Sequence, residues 1–101
     1  MQCRKLDFDE RFRVAFRNAR AGAAVMTIPP GDAEGDPQNR HEDADQWLFV
    51  VEGEGTAIVE GKRQRLEPGT LLLIERGERH EVRNDGKKPL CTLNFYAPPE
   101  Y

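Results

Sequence analysis

The chain has two histidines, His41 and His80, and each opens a segment that reads as a β-strand, where a side chain is able to point into the mouth of a barrel. A neutral imidazole nitrogen in that position is a ligand for a divalent metal or a polar contact for a small molecule. Five residues after His41 stands Gln46. With the alternation of a strand, Gln46, Leu48 and Val50 fall on one face, so an inward Gln46 would set an amide beside apolar neighbours. His80, Val82 and Asn84 share a face in the same way.

The elements that must position these side chains are short. From Phe12 onward apolar residues alternate or run in bursts between Gly, Pro and Asp turn signals, which predicts many strands and almost no helix. Phe12, Val14 and Phe16 are expected on one face of a first strand. Ala23 to Ile28 reads as a second, ended by Pro29-Pro30-Gly31, which cannot continue a ladder. Residues 31–40, GDAEGDPQNR, lack periodicity and read as a loop. Trp47 to Glu52, Thr56 to Glu60 and Arg63 to Leu66 follow as strands turned by Gly53-Glu54-Gly55 and Gly61-Lys62. After Glu67-Pro68-Gly69, Thr70 to Ile74 is apolar enough to be a central strand covered on both faces. His80 to Asn84, the turn Asp85-Gly86 and Leu90 to Ala97 complete the series. About eight short strands with no helical crossover leave a sandwich or a barrel.

A length of 101 residues supports one domain and one core. The 15 basic and 18 acidic residues, net charge −3, are interspersed, which argues against nucleic acid as a partner; Lys62, Arg63 and Arg65 read as a solvated strand face. No run approaches the ~20 apolar residues of a membrane span, and the opening MQCRKLDFDE carries charge where a signal peptide is apolar, so the expected location is cytoplasmic, with no membrane partner. Cys3 and Cys91 lack CxxC spacing and are expected to be reduced thiols; a nucleophilic Cys91 would need a basic neighbour.

Two patterns together resemble the cupin superfamily. Against its first motif, the first His position falls on Asn39, the second on His41, the Glu position on Gln46 and the closing Gly on Gly53. Against its second, Gly, Pro, Gly, His and Asn fall on Gly69, Glu75, Gly77, His80 and Asn84. The chain departs from the family at Asn39, Gln46 and Glu75, and has Ala33 where a Gly is expected upstream. The resemblance implies an all-β, single-domain cupin-type jelly-roll β-barrel over residues 20–99, with residues 1–19 carrying the first strand at a dimer or barrel edge. It also implies a metal set of His41, Gln46, His80 and Asn39 for a divalent Fe, Mn, Ni or Zn ion. That set is neutral, so affinity would be lower than in a relative bearing Glu, and an anionic ligand could supply the missing charge.

The superfamily spans isomerases, dioxygenases, decarboxylases, storage proteins and sugar-binding transcription factors, so function has to come from the site. Two functions stay open. One is a metal-dependent enzyme of oxygenase or isomerase type acting on a small polar or anionic molecule. The other is a metal-free, non-catalytic small-molecule-binding or sensor module, in which the histidines and amides bond one another and trapped water. A small-molecule ligand and a second copy in a homodimer are the expected partners. Met26, Leu48, Val50, Val82, Leu93 and Phe95 are expected to wall the pocket, with Trp47, Phe49 and Tyr96 at its rim or on the opposite face. Glu75 is either a general acid or base beside His80 or an exposed turn carboxylate.

Overall fold

The computed structural model describes every residue except His41 and Glu42, and describes residues 36–40 by their backbone alone. Its strands are β1 (Phe12–Arg17), β2 (Gly22–Ile28), β3 (Ala33–Arg40), β4 (Asp45–Glu52), β5 (Gly55–Val59), β6 (Lys62–Leu66), β7 (Leu71–Ile74), β8 (Arg79–Arg83) and β9 (Leu90–Ala97). They form two antiparallel sheets, in the orders β1-β2-β9-β4-β7 and β3-β8-β5-β6. Facing side chains of the two sheets, Ile28, Leu48, Val50, Leu66, Val82 and Leu90 among them, make the core; this is the two-sheet all-β architecture that alternation and turn spacing allow, in the jelly-roll form that the family resemblance implies. The tightest hairpin joins β5 to β6 through Glu60 and Gly61, both at positive φ (49° and 76°), as a two-residue turn matched to strand twist requires. No helix is long and apolar enough to cross a membrane among the described residues.

Three expectations are corrected. Residues 33–40 form β3 rather than a loop, pairing Ala33 with Arg83, Glu34 with Val82 and Gly35 with Glu81. A sheet-edge strand is held by its backbone ladder on one side and does not need an apolar stripe, so its composition hides it. The run ending at Ile74 is not central: β7 is the edge of the five-stranded sheet, and Leu71 and Leu73 are 65% and 44% exposed. In β1, a register shift between Val14 and Phe16 breaks strict alternation. Ala15 is therefore the buried residue, while Phe12 and Val14 are exposed.

Candidate functional site

At one end of the barrel a cavity of about 80 Å³ opens between the sheets. β8 supplies His80 and Val82 from one side; β4, β9 and β2 supply Gln46, Tyr96 and Met26 from the other. Gln46 pairs directly with Tyr96 across the β4–β9 ladder, and paired residues share a face. With Gln46, Leu48 and Val50 turned inward, their partners Tyr96, Asn94 and Thr92 must be inward too.

This corrects the expected wall. Leu93 and Phe95 lie on the outer face, Phe95 being 43% exposed, whereas Thr92, Asn94 and Tyr96 are buried. Trp47 and Phe49 also belong to the outer face, in register with Phe95 and Leu93. Sequence alternation favours the apolar phase of β9 as the inner one. The polar phase lies inside because register with β4 sets Thr92, Asn94 and Tyr96 opposite the inward Val50, Leu48 and Gln46.

Each described donor is oriented by a neighbour. The His80 ring is 6% exposed, and its Nδ1 lies 3.3 Å from the backbone carbonyl of Glu78. That contact is a hydrogen bond only if Nδ1 carries the proton, so the neutral ring has its lone pair on Nε2. Gln46 Nε2 donates to Asn94 Oδ1 at 3.0 Å, and Asn94 Nδ2 donates to Thr92 Oγ1 at 3.0 Å. Because Asn94 Nδ2 faces the backbone carbonyls of Ala24 and Thr92, which can only accept, the amide assignments follow along the chain of bonds. Gln46 therefore commits its NH₂ to β9, and its carbonyl oxygen is the atom that suits a cation.

Tyr96 is the site residue that sequence reasoning placed at a rim or on the wrong face. Burial, reinforced by Tyr101, Glu100 and Glu34, pushes its hydroxyl far above the usual phenol range. It therefore stays a neutral O–H, able to donate to an anionic oxygen. Pairing with a polar Gln46, rather than any hydrophobic pattern, is the signal that would have found it. Glu34, Phe12 and Tyr101 complete the mouth. Glu75 is exposed, with its backbone carbonyl accepting from Glu78 N at 3.0 Å; it is a turn carboxylate and does not line the cavity. Buried Cys91 is a free thiol whose pKa burial raises, which opposes a nucleophilic thiolate.

Of the four expected ligands the structure brings His80 and Gln46 to one cavity. His41 lies outside the described residues, as does the side chain of Asn39. The described residues on either side are placed: Arg40 pairs with Arg79, next to His80, and Asp45 pairs with Ala97, next to Tyr96. Among the described residues no three His, Cys, Asp or Glu side chains converge on a point. The two described donors, an imidazole and an amide oxygen, are chemically suited to a borderline divalent ion and make half of the implied set.

With two facing antiparallel sheets and a cavity holding His80 and Gln46 at one end, the chain belongs to the cupin family: residues 24–96 match its cupin-domain model, Cupin_2. It is 43% identical over 78 residues to Endoribonuclease YbeY of Myxococcus xanthus, a match covering 77% of this chain and 26% of that protein. It is 34% identical over 73 residues to the tetracenomycin polyketide synthase protein TcmJ of Streptomyces glaucescens, covering 72% of this chain and 48% of that one. The chain thus spans about a quarter to a half of these relatives' lengths. Among solved structures, the BH2720 protein of Bacillus halodurans superposes with a TM-score of 0.85 at 28% identity, over 92% of this chain and 75% of that one.

Proposed function

We propose that the cavity is a divalent-metal site for a small polar or anionic ligand, with His80, Gln46, His41 and Asn39 as donors. The observation that carries this reading is that His80 and Gln46, from different sheets, line one cavity with a ring and an amide each oriented by a backbone or side-chain partner. A divalent ion there would supply a Lewis acid or an oxygen site, as an oxygenase or isomerase requires. The protein's own contribution is orientation. The Glu78 carbonyl fixes the His80 tautomer, Asn94 fixes the Gln46 amide, and Tyr96 offers a neutral hydroxyl to a carboxylate or alkoxide.

Protein purified without chelator or affinity metal is expected to carry about one Fe, Mn, Ni or Zn per chain, and His80→Ala and His41→Ala are each expected to lose at least nine-tenths of it. Unchanged metal content in both variants would sink the site. No metal in the parent protein, even after adding the four ions, would move the assignment to the second reading, a metal-free binding module. What favours that reading is the neutral donor set, together with the match to only 26% of a longer protein, the situation of a module carried within a larger chain.

The reading extends to a homodimer. On the outer face of the five-stranded sheet two rows lie in direct register, Leu73–Trp47–Phe95 and Leu71–Phe49–Leu93, and four of these six side chains are at least 38% exposed. With three strands ~4.8 Å apart and two rows ~6.7 Å apart, the patch covers on the order of 200 Å². That is about a quarter of the ~800 Å² each partner gives to a standard interface, the rest of which the same sheet face would supply. A second copy suits it because a two-fold axis buries the same face twice and needs no other complementary surface. Sedimentation at micromolar concentration is expected to show a dimer that Phe49→Glu converts to monomer; a monomeric parent protein would contradict this.

A further inference from the structure

Among the described residues, the cavity mouth has one braced side and one side partly covered by a ring. On the braced side Arg11, preceding β1, reaches across to the other sheet: Nη1 donates to Asp32 at 2.9 Å, Nη2 to the Ala33 carbonyl at 3.0 Å, and Nε pairs with Glu34. A guanidinium fork engaged on three nitrogens fixes β1 against β3 and sets Phe12, the next residue, as a stationary wall. The opposite side is partly covered by the segment that follows β9. Pro99 rests near Gly22 of β2, and the Tyr101 ring lies 4.8 Å from the ring of Phe12 and 5.1 Å from that of Tyr96, edge-on to the latter. Tyr101 is nevertheless 46% exposed, so one side of the ring faces outward while the other covers the cavity.

We infer that Tyr101 is the size-determining cap of this cavity, a ring over its mouth that swings away from Phe12 and Tyr96 to admit a bulkier ligand to His80. The inference rests on reading the cavity as the ligand site. With the ring in place the space of about 80 Å³, open along part of its rim, holds about two or three waters' volume, enough for an ion with its remaining waters or a ligand of similar bulk. Two consecutive prolines, whose φ angles are fixed, hold the base of the segment, so the swing falls at Glu100 and Tyr101. Aromatic contacts of this kind are worth about 0.5–1.5 kcal/mol each, weak enough to break for entry and strong enough to keep the closed state dominant.

The test is the rate at which diethyl pyrocarbonate, a reagent bulkier than the capped space, modifies His80 in the chelator-treated 101-residue chain, read by peptide mass. Tyr101→Ala is expected to raise that rate at least tenfold, and Tyr101→Phe, which keeps the ring, to stay within twofold of the parent. Labelling of the buried thiol of Cys91 serves as the reporter of general loosening and is expected not to change. Equal His80 rates in all three proteins would overturn the cap, and so would a rise at Cys91 matching that at His80. Because the measurement needs no metal, an open cap with no metal uptake would leave the cap standing while the metal reading falls; metal uptake with equal rates would do the reverse.

Discussion

Gly55→Ala is expected to yield almost no folded protein, a destabilisation above ~4 kcal/mol, with Gly53→Ala close behind. A Cβ on Gly55 would overlap the backbone carbonyl oxygen of Arg83 and lie 2.8 Å from Leu90 Cδ2; one on Gly53 would overlap the carbonyl oxygen of Pro89 and lie 2.9 Å from Leu90 Cα. In both cases the obstacle is backbone, which cannot rotate aside, and relief requires separating strands that enclose the core. Gly53 adds a φ of +89°, a region costing an L-residue roughly 1–2 kcal/mol. Gly61 and Gly77 provide the contrast: their φ angles are +76° and +83°, but nothing lies within 4 Å of an added Cβ. Gly61→Ala and Gly77→Ala should therefore cost only that ~1–2 kcal/mol. Urea unfolding of the four variants separates the two causes. A loss at Gly53 no larger than those at Gly61 and Gly77, with little loss at Gly55, whose φ is not positive, would mean that φ alone decides and that the close approaches at Gly53 and Gly55 relax.

Asn84→Ala is the second large loss, about 3 kcal/mol at roughly 1 kcal/mol for each bond removed. Asn84 is 2% exposed and its Nδ2 donates to the carbonyls of Ile28 at 2.8 Å and Lys88 at 2.7 Å, while Oδ1 accepts from Gly86 N at 2.9 Å. One side chain therefore ties the end of β2 to the turn between β8 and β9. Alanine leaves two carbonyls and an N–H without these partners, and one of them belongs to fully buried Ile28. For a domain of this size the loss lowers Tm by roughly 12–24 °C. Asn84→Asp should be no better, since a carboxylate keeps the Gly86 bond but turns acceptors toward two carbonyls. Thermal unfolding by circular dichroism checks both; a shift under ~5 °C for Asn84→Ala would show that water takes over these bonds. The second motif's Asn is thus a scaffold residue, at the far end of the strand face whose near end is His80.

Residue order alone settled the strands whose alternation or apolar bursts were strong, the glycines at the turns, and the face shared by Gln46, Leu48 and Val50 and by His80, Val82 and Asn84. Each of these is a local property: side-chain parity along one strand, or a φ that one residue must adopt. Local pattern also carried the family, because motif spacing records which residues stand at strand ends. What it could not carry was pairing. β3 is held by backbone bonds to β8 and shows no stripe; β7 is apolar yet lies at the edge of its sheet, with Leu71 and Leu73 exposed. The inner face of β9 was decided only by its register with β4, which turned Thr92, Asn94 and Tyr96 inward against the apolar phase. The cap has the same origin. Phe12 and Tyr101 are 89 positions apart in the numbering, and their contact exists because β1 and the segment after β9 both flank β2. Contacts between strands distant in sequence are set by the closing of the whole barrel, and no window of residues contains that information.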